Sequence, residues 1–181
     1  MKIFTKILFV SFLLIFVQSC SKIFKCKDDE LTIPRTENNT NKLKLNGYYY
    51  GDIFDYNENK PKVYLLYQNG IFYNCEHIKK EDIDASLMIL NNNELRSKYK
   101  SRWGTYKING NNIEIEYWLP QANHCVKLSY NKGEILNDTT FKITYVRTSY
   151  RGEVGYEKNV NDIFYFKQYS PKPDSTISFI P

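Results

Sequence analysis

From Leu43 onward the chain alternates. Ile113, Ile115 and Tyr117 fall on one side of an extended backbone and Glu114 and Glu116 on the other, and Phe141, Ile143 and Tyr145 alternate in the same way with Lys142 and Thr144. A period of two residues belongs to a strand with one buried and one wet face, whereas a helix repeats at 3.6. Segments of this kind recur at short intervals to the C-terminus, separated by Asn- and Gly-rich breaks. That restricts residues 43–181 to one all-β domain.

The strands can be placed in order. Tyr48-Tyr49-Tyr50 follows Asn46-Gly47 and opens the domain. Val63 to Tyr67 is apolar at successive positions, so the strand is expected to be buried on both faces or to line a barrel wall. Gln68-Asn69-Gly70 is a turn, and Ile71 to His77 returns. Between Glu81 and Leu90 the rhythm changes. Ile83, Leu87 and Leu90 stand at helical spacing behind an acidic first turn, which suits the helix dipole. Strands resume at Trp103–Ile108 and Ile113–Trp118 across Asn109-Gly110-Asn111-Asn112. Cys125–Tyr130 and Glu134–Leu136 are read as partners across Asn131-Lys132-Gly133, and Thr139–Tyr150 and Ile163–Tyr169 complete the set. Pro171-Lys172-Pro173 then stops pairing and an extended tail follows.

About eight hairpin-linked strands with one short helix after the third suit an antiparallel up-and-down barrel, and a two-sheet sandwich produces the same alternation. The 16 tyrosines, against two tryptophans, fit strands, where the ring packs and the hydroxyl stays wet. No repeat of fixed period is present.

The first 20 residues are of another kind. Lys2 and Lys6 precede an apolar run from Ile7 to Val17, and Val17-Gln18-Ser19-Cys20 closes it. A charged start, a short apolar segment and a small residue before the cut define a secretory signal. The cysteine after that small residue resembles the lipobox of bacterial lipoproteins, which implies cleavage before Cys20 and a lipid on its thiol. Residues 1–19 are then the signal peptide, 20–42 a lipidated flexible tether and 43–181 the barrel domain. Cleavage leaves 162 residues, and the formal charge falls from +5 to +3 because Lys2 and Lys6 leave. So mild a balance argues against nucleic acid. The polar tether, with Lys27-Asp28-Asp29-Glu30, Pro34 and Asn38 to Asn41, spans about 25 Å as a flexible coil. The acidic run resembles charged signals that direct some lipoproteins to the cell surface, although solvated linkers carry the same composition.

On the residues Leu45-Asn46-Gly47-Tyr48, Trp103-Gly104-Thr105-Tyr106, Gly133 to Phe141 and Lys172-Pro173-Asp174-Ser175-Thr176, the chain resembles the small lipocalin-like lipoproteins of bacterial envelopes. The resemblance implies a calycin-type barrel on an exported lipoprotein. The expected location is the bacterial envelope, lipid-anchored in the outer membrane on its periplasmic face or at the cell surface. The resemblance assigns no substrate and no site residue.

Candidate chemistry is sparse. With Cys20 lipidated, Cys26, Cys75 and Cys125 remain, and an odd count permits at most one internal bridge. Cys75–Cys125 is the preferred pair, since both lie in strand-like segments, and two buried thiols are the alternative. Cys75, His77, His124 and Cys125 offer four zinc-type ligands, but His124 and Cys125 point to opposite faces of a strand, so no metal site is assigned. Glu114 and Glu116 share a face, which reads as an outward polar surface rather than a glycosidase pair. No Gly-x-Ser-x-Gly elbow and no phosphate-binding glycine loop occurs. Thr139 and Ser175, each after an aspartate, resemble O-glycosylation acceptors, and ordinary turn chemistry accounts for both motifs.

These readings lead to a non-enzymatic binding module without a cofactor, anchored to the membrane by its N-terminal lipid. Its partner is a small apolar ligand held in a tyrosine-lined barrel, or an envelope protein. The rival is a filled barrel acting through its outer surface as an assembly or inhibitor protein, and an envelope hydrolase stands third. The barrel interior separates the first two: a cavity of several hundred Å³ favours the ligand, and a packed interior favours the surface.

Overall fold

A computed structural model describes residues 28–51, 61–75, 78, 80–90, 100–120 and 126–180. Eight strands, β1 (Gly47–Gly51), β2 (Lys62–Leu66), β3 (Ile71–Cys75), β4 (Trp103–Asn109), β5 (Asn112–Pro120), β6 (Val126–Asn137), β7 (Thr140–Tyr150) and β8 (Glu153–Gln168), form a closed barrel. Each strand pairs antiparallel with the next, and β8 returns to β1 with Tyr49 opposite Phe166. The up-and-down barrel is therefore correct and the sandwich is not. One helix, α1 (Ile83–Leu90), follows β3 and is led in by a 3-10 turn, Lys80–Asp82.

Register decides which residues fill the barrel. Tyr49 lies opposite Tyr64, Leu66 opposite Phe72, Tyr106 opposite Ile115, and Phe141 opposite both Ile135 and Phe164. Partners across a ladder point to one face, so these side chains meet inside. The rings form a continuous series. Tyr64 stacks on Phe164 at 4.4 Å between centroids, Phe164 on Phe141 at 5.0 Å, Phe141 meets Tyr49 at 5.0 Å, and Tyr64 meets Phe72 at 4.9 Å. All are almost fully buried. Tyr49 of this series and its neighbour Tyr106 turn their hydroxyls to the end that carries the β2–β3, β4–β5 and β6–β7 turns, the closed end. Tyr106 donates to the Tyr67 carbonyl at 2.7 Å, and Tyr49 to the Lys44 carbonyl at 3.0 Å. Burial raises the pKa of both phenols. The tyrosines of this half thus pack ring against ring with their phenylalanine neighbours.

Toward the other end, where β1–β2, β3–β4 and β5–β6 are joined, the inward positions become polar. Asn74, Ser129 and Asn131 are buried there, and Asn131 Nδ2 donates to the Tyr64 hydroxyl at 3.4 Å. Lys62 and Asp162 pair at 3.7 Å across Gly51, which has no side chain to separate them.

A second apolar layer lies on the outer wall. Tyr48, Val63, Leu65, Tyr73, Trp103 and Trp118 face outward and are buried because other segments cover them. Helix α1 supplies Ile83 and Leu87 and is held by Asp84. That carboxylate accepts from Tyr48 Oη at 2.9 Å and from Lys167 Nζ at 2.8 Å. The lysine hydrogen bond holds Asp84 below its usual carboxylate range, while burial, with the aspartate's help, raises Tyr48 to about 12. The two faces of β2 are thus covered, as its unbroken apolar run requires.

Three expectations need correction. Asn131-Lys132-Gly133 is no turn, because β6 runs unbroken through it with a register shift between Lys132 and Gly133. A Cβ on Gly133 would stand 2.1 Å from the Lys142 carbonyl oxygen, so glycine serves close strand approach there. The last strand starts ten residues earlier than Ile163, since β7 continues far enough to pair with Glu153–Asp162. And residues 28–42 are no free tether: Ile33 and Asn38 are buried against the barrel. Residues 1–27, including Cys20 and Cys26, lie outside the described residues.

Candidate functional site

Both ends of the described chain lie on the outer face of β4 and β5. The N-terminal segment enters beside the start of β6, where Val126 N donates to Asp28 Oδ1 at 3.1 Å and Trp118 Nε1 donates to the Asp29 carbonyl at 2.8 Å. It then crosses Glu116. That carboxylate is 1% exposed and accepts from the Thr32 amide, from Thr32 Oγ1 at 3.0 Å and from the Ile33 amide at 3.0 Å. Thr105 Oγ1 donates to the Ile33 carbonyl at 2.7 Å. A buried carboxylate is stable only when such donors replace its water. Farther on, Asn38 N donates to the Gln68 carbonyl at 2.7 Å, and Thr36 passes over the turn at Gly70. There φ is +78° and a Cβ would lie 2.1 Å from the Thr36 carbonyl oxygen, so both conformation and space require glycine.

The C-terminal tail returns to the same wall. Lys172 is turned under the closed end, where Nζ donates to the Leu45 carbonyl at 2.7 Å and to the Leu66 carbonyl, and lies 4.3 Å from the Tyr67 ring centroid. Burial pushes its amine down to about 7. Beyond it Ile177, Phe179 and Ile180 settle on the outer apolar layer, with Phe179 edge-on to Trp118 at 6.2 Å.

Between these two segments lies a cleft of about 320 Å³. Leu31, Ile33, Trp118, Phe179 and Ile180 make its apolar lining, Thr105 lies among them, and Glu30, Arg35 and Lys100 stand at its rim. Lys100 Nζ sits 4.3 Å from the Trp118 ring centroid and 3.4 Å from Asp28 Oδ2. An apolar trough with a few charges at its edge is the usual form of a small-molecule site, and this volume lies at the small end of that class. It can hold one compact apolar body with an acidic group toward the cations.

The residues singled out by sequence are scattered about this geometry. Glu114 and Glu116 do share the outer face, but the surface expected to be wet is covered. Glu116 binds the N-terminal segment, while Glu114 pairs with Lys107 at 3.3 Å and accepts from Tyr130 Oη at 2.7 Å. The carboxylate neighbour helps burial hold the Tyr130 phenol up. Cys75 is buried at the end of β3 on the outer side, whereas Cys125, His77 and His124 fall outside the described residues. Thr139 donates to Asn137 Oδ1 at 2.8 Å in the β6–β7 turn, and Ser175 accepts from Asn69 Nδ2 at 3.0 Å. The cleft itself was missed. Leu31 and Ile33 carried a faint alternating signal inside a polar stretch, and Ile177, Phe179 and Ile180 an equally faint one after Pro173.

Comparison with family models, with curated proteins and with solved structures gives no match.

Proposed function

We propose that this protein is a lipid-anchored, non-enzymatic binding module of the bacterial envelope, and that it holds a small apolar ligand with an acidic group on its outer wall. The observation that carries the reading is the cleft between the two terminal segments, with Trp118 at its base and Lys100 and Arg35 at its rim. The filled aromatic half of the barrel supports an outer site over a deep interior one. The export and anchoring part rests on the signal ending at Cys20 and on the resemblance to envelope lipoproteins. Three apolar walls from separate segments would exclude water from the ligand, and the rim cations would orient it.

Native mass spectrometry of protein purified from its own envelope is expected to show a co-purifying molecule of this class. Trp118→Ala is expected to lose it, because that change removes the base of the cleft and the ring beneath Lys100. Hydrolysis of an envelope glycan, lipid or peptide that tracks the purified protein would overturn the reading. A second reading, a filled barrel that acts by docking a protein, is favoured by Met88 and Ile89 on α1, each 68% exposed. Retention of a stable protein partner with an empty cleft would select it.

A further inference from the structure

The N-terminal segment fixes the orientation of the barrel as well as the cleft. Its first described residues are bound at the loop end, where β1–β2, β3–β4, β5–β6 and β7–β8 are joined. Asp28 takes the Val126 amide and pairs with Lys100, and the Asp29 carboxylate accepts the Arg151 amide at 2.8 and 2.9 Å. Arg151 lies at the tip of the β7–β8 hairpin, between Tyr150 and Glu153. From Cys20 to Asp28 is eight residue steps, about 28 Å at full extension. The turns at the opposite end, residues 110–111 and 138–139, are a strand length farther away, about 35 Å along β7. A lipid on Cys20 therefore brings the end of the barrel that carries the hairpin tip to the bilayer before the closed end can reach it.

The tip has the composition for that position. Val154 and Tyr156 are 54% and 53% exposed, and the Arg151 guanidinium lies 5.1 Å from the Tyr150 ring centroid. Tyrosine, with an apolar ring and a polar hydroxyl, concentrates at membrane interfaces, and arginine can extend from an apolar stem toward phosphate. Arg151 and Lys158 are balanced by Glu153 and Glu157 on the same hairpin, a pattern that fits a headgroup layer of mixed charge.

We infer that the tip of the β7–β8 hairpin rests on the phospholipid surface to which the chain is anchored, an inference that stands on the lipidation reading at Cys20. The barrel then meets the membrane loop end down, and the cleft opens sideways next to the headgroups.

The test uses the acylated protein in vesicles of phosphatidylethanolamine and phosphatidylglycerol, compared with the non-acylated chain from residue 20 in buffer. Hydrogen exchange of amides 151–157 is expected to slow at least about fivefold on the vesicles, with residues 110–111 and 138–139 unchanged. The double variant Val154→Ser, Tyr156→Ser is expected to abolish the slowing while intact-mass analysis still finds acyl chains on Cys20. Equal exchange at the hairpin in acylated protein would overturn the inference and leave lipidation standing. Cys20 without acyl chains would overturn both. Slowing that appears only when envelope proteins are added would assign the tip to a protein partner instead.

Discussion

Glu116 shows how far a residue pattern reaches. Period-two alternation places it on the outer face of β5, and it is there, yet it is as buried as the core. The pattern speaks of the strand's own two faces; whether a third segment covers one of them depends on residues more than 80 positions away. Glu116→Ala leaves the Thr32 and Ile33 amides without their acceptor. It is expected to cost about 2–4 kcal/mol, the range for hydrogen bonds to a charged group plus unpaired buried donors, as read by urea unfolding. Faster hydrogen exchange from residue 29 to residue 38 should accompany it. Lys172 supplies a pH dependence of known sign. Its folded pKa of about 7 lies below the ordinary lysine value of about 10.4, so between those limits the unfolded chain binds more protons and stability rises with pH. The associated cost is complete below about pH 7. Lys172→Met is expected to flatten the rise between pH 7 and 9.5, measured by urea unfolding at several pH values. Above about pH 10 the raised tyrosine pKa values act oppositely, since the unfolded phenols ionise first.

At the scale of elements, the regularly alternating strands were legible and the irregular ones were not. β4, β5 and β7 match their alternating segments closely, and α1 matches its helical spacing. β6 was divided because Asn-Lys-Gly carries turn chemistry in any local reading. In the barrel, Asn131 instead turns inward to Tyr64, and Gly133 lets β7 approach, both long-range facts. Gly133→Ala forces its Cβ into the Lys142 carbonyl. It is expected to destabilise the protein by about 1–3 kcal/mol, the cost of overpacking, with a lower urea midpoint and disturbed β6–β7 amide shifts. The first half of β8 was hidden for a different reason. Glu153 to Asp162 is mostly exposed, so no buried face imposes alternation on its sequence.

For the whole molecule, the sequence pointed to an up-and-down barrel with one helix, left a sandwich open beside it, and did not reveal what surrounds them. The interior is filled at one end by stacked rings, and the outer wall of β4 and β5 is roofed by the two terminal segments. The residues around Pro34 read as a tether and those after Pro173 as an extended tail, because the apolar residues in each are few and widely spaced. Only the barrel wall, itself assembled from distant strands, brings Leu31, Ile33, Phe179 and Ile180 to one trough. The central claim is that ligand binding belongs to this trough and not to the barrel interior. The most direct measurement is a methyl and indole NMR titration of the protein with decanoate, an apolar chain bearing one carboxylate. Saturable shifts at Leu31, Ile33, Ile180 and the Trp118 indole, with Ile115 and Ile143 inside the barrel unmoved, are the expected result. Shifts centred on Ile115 and Ile143, or none at the trough at saturating decanoate, would contradict it.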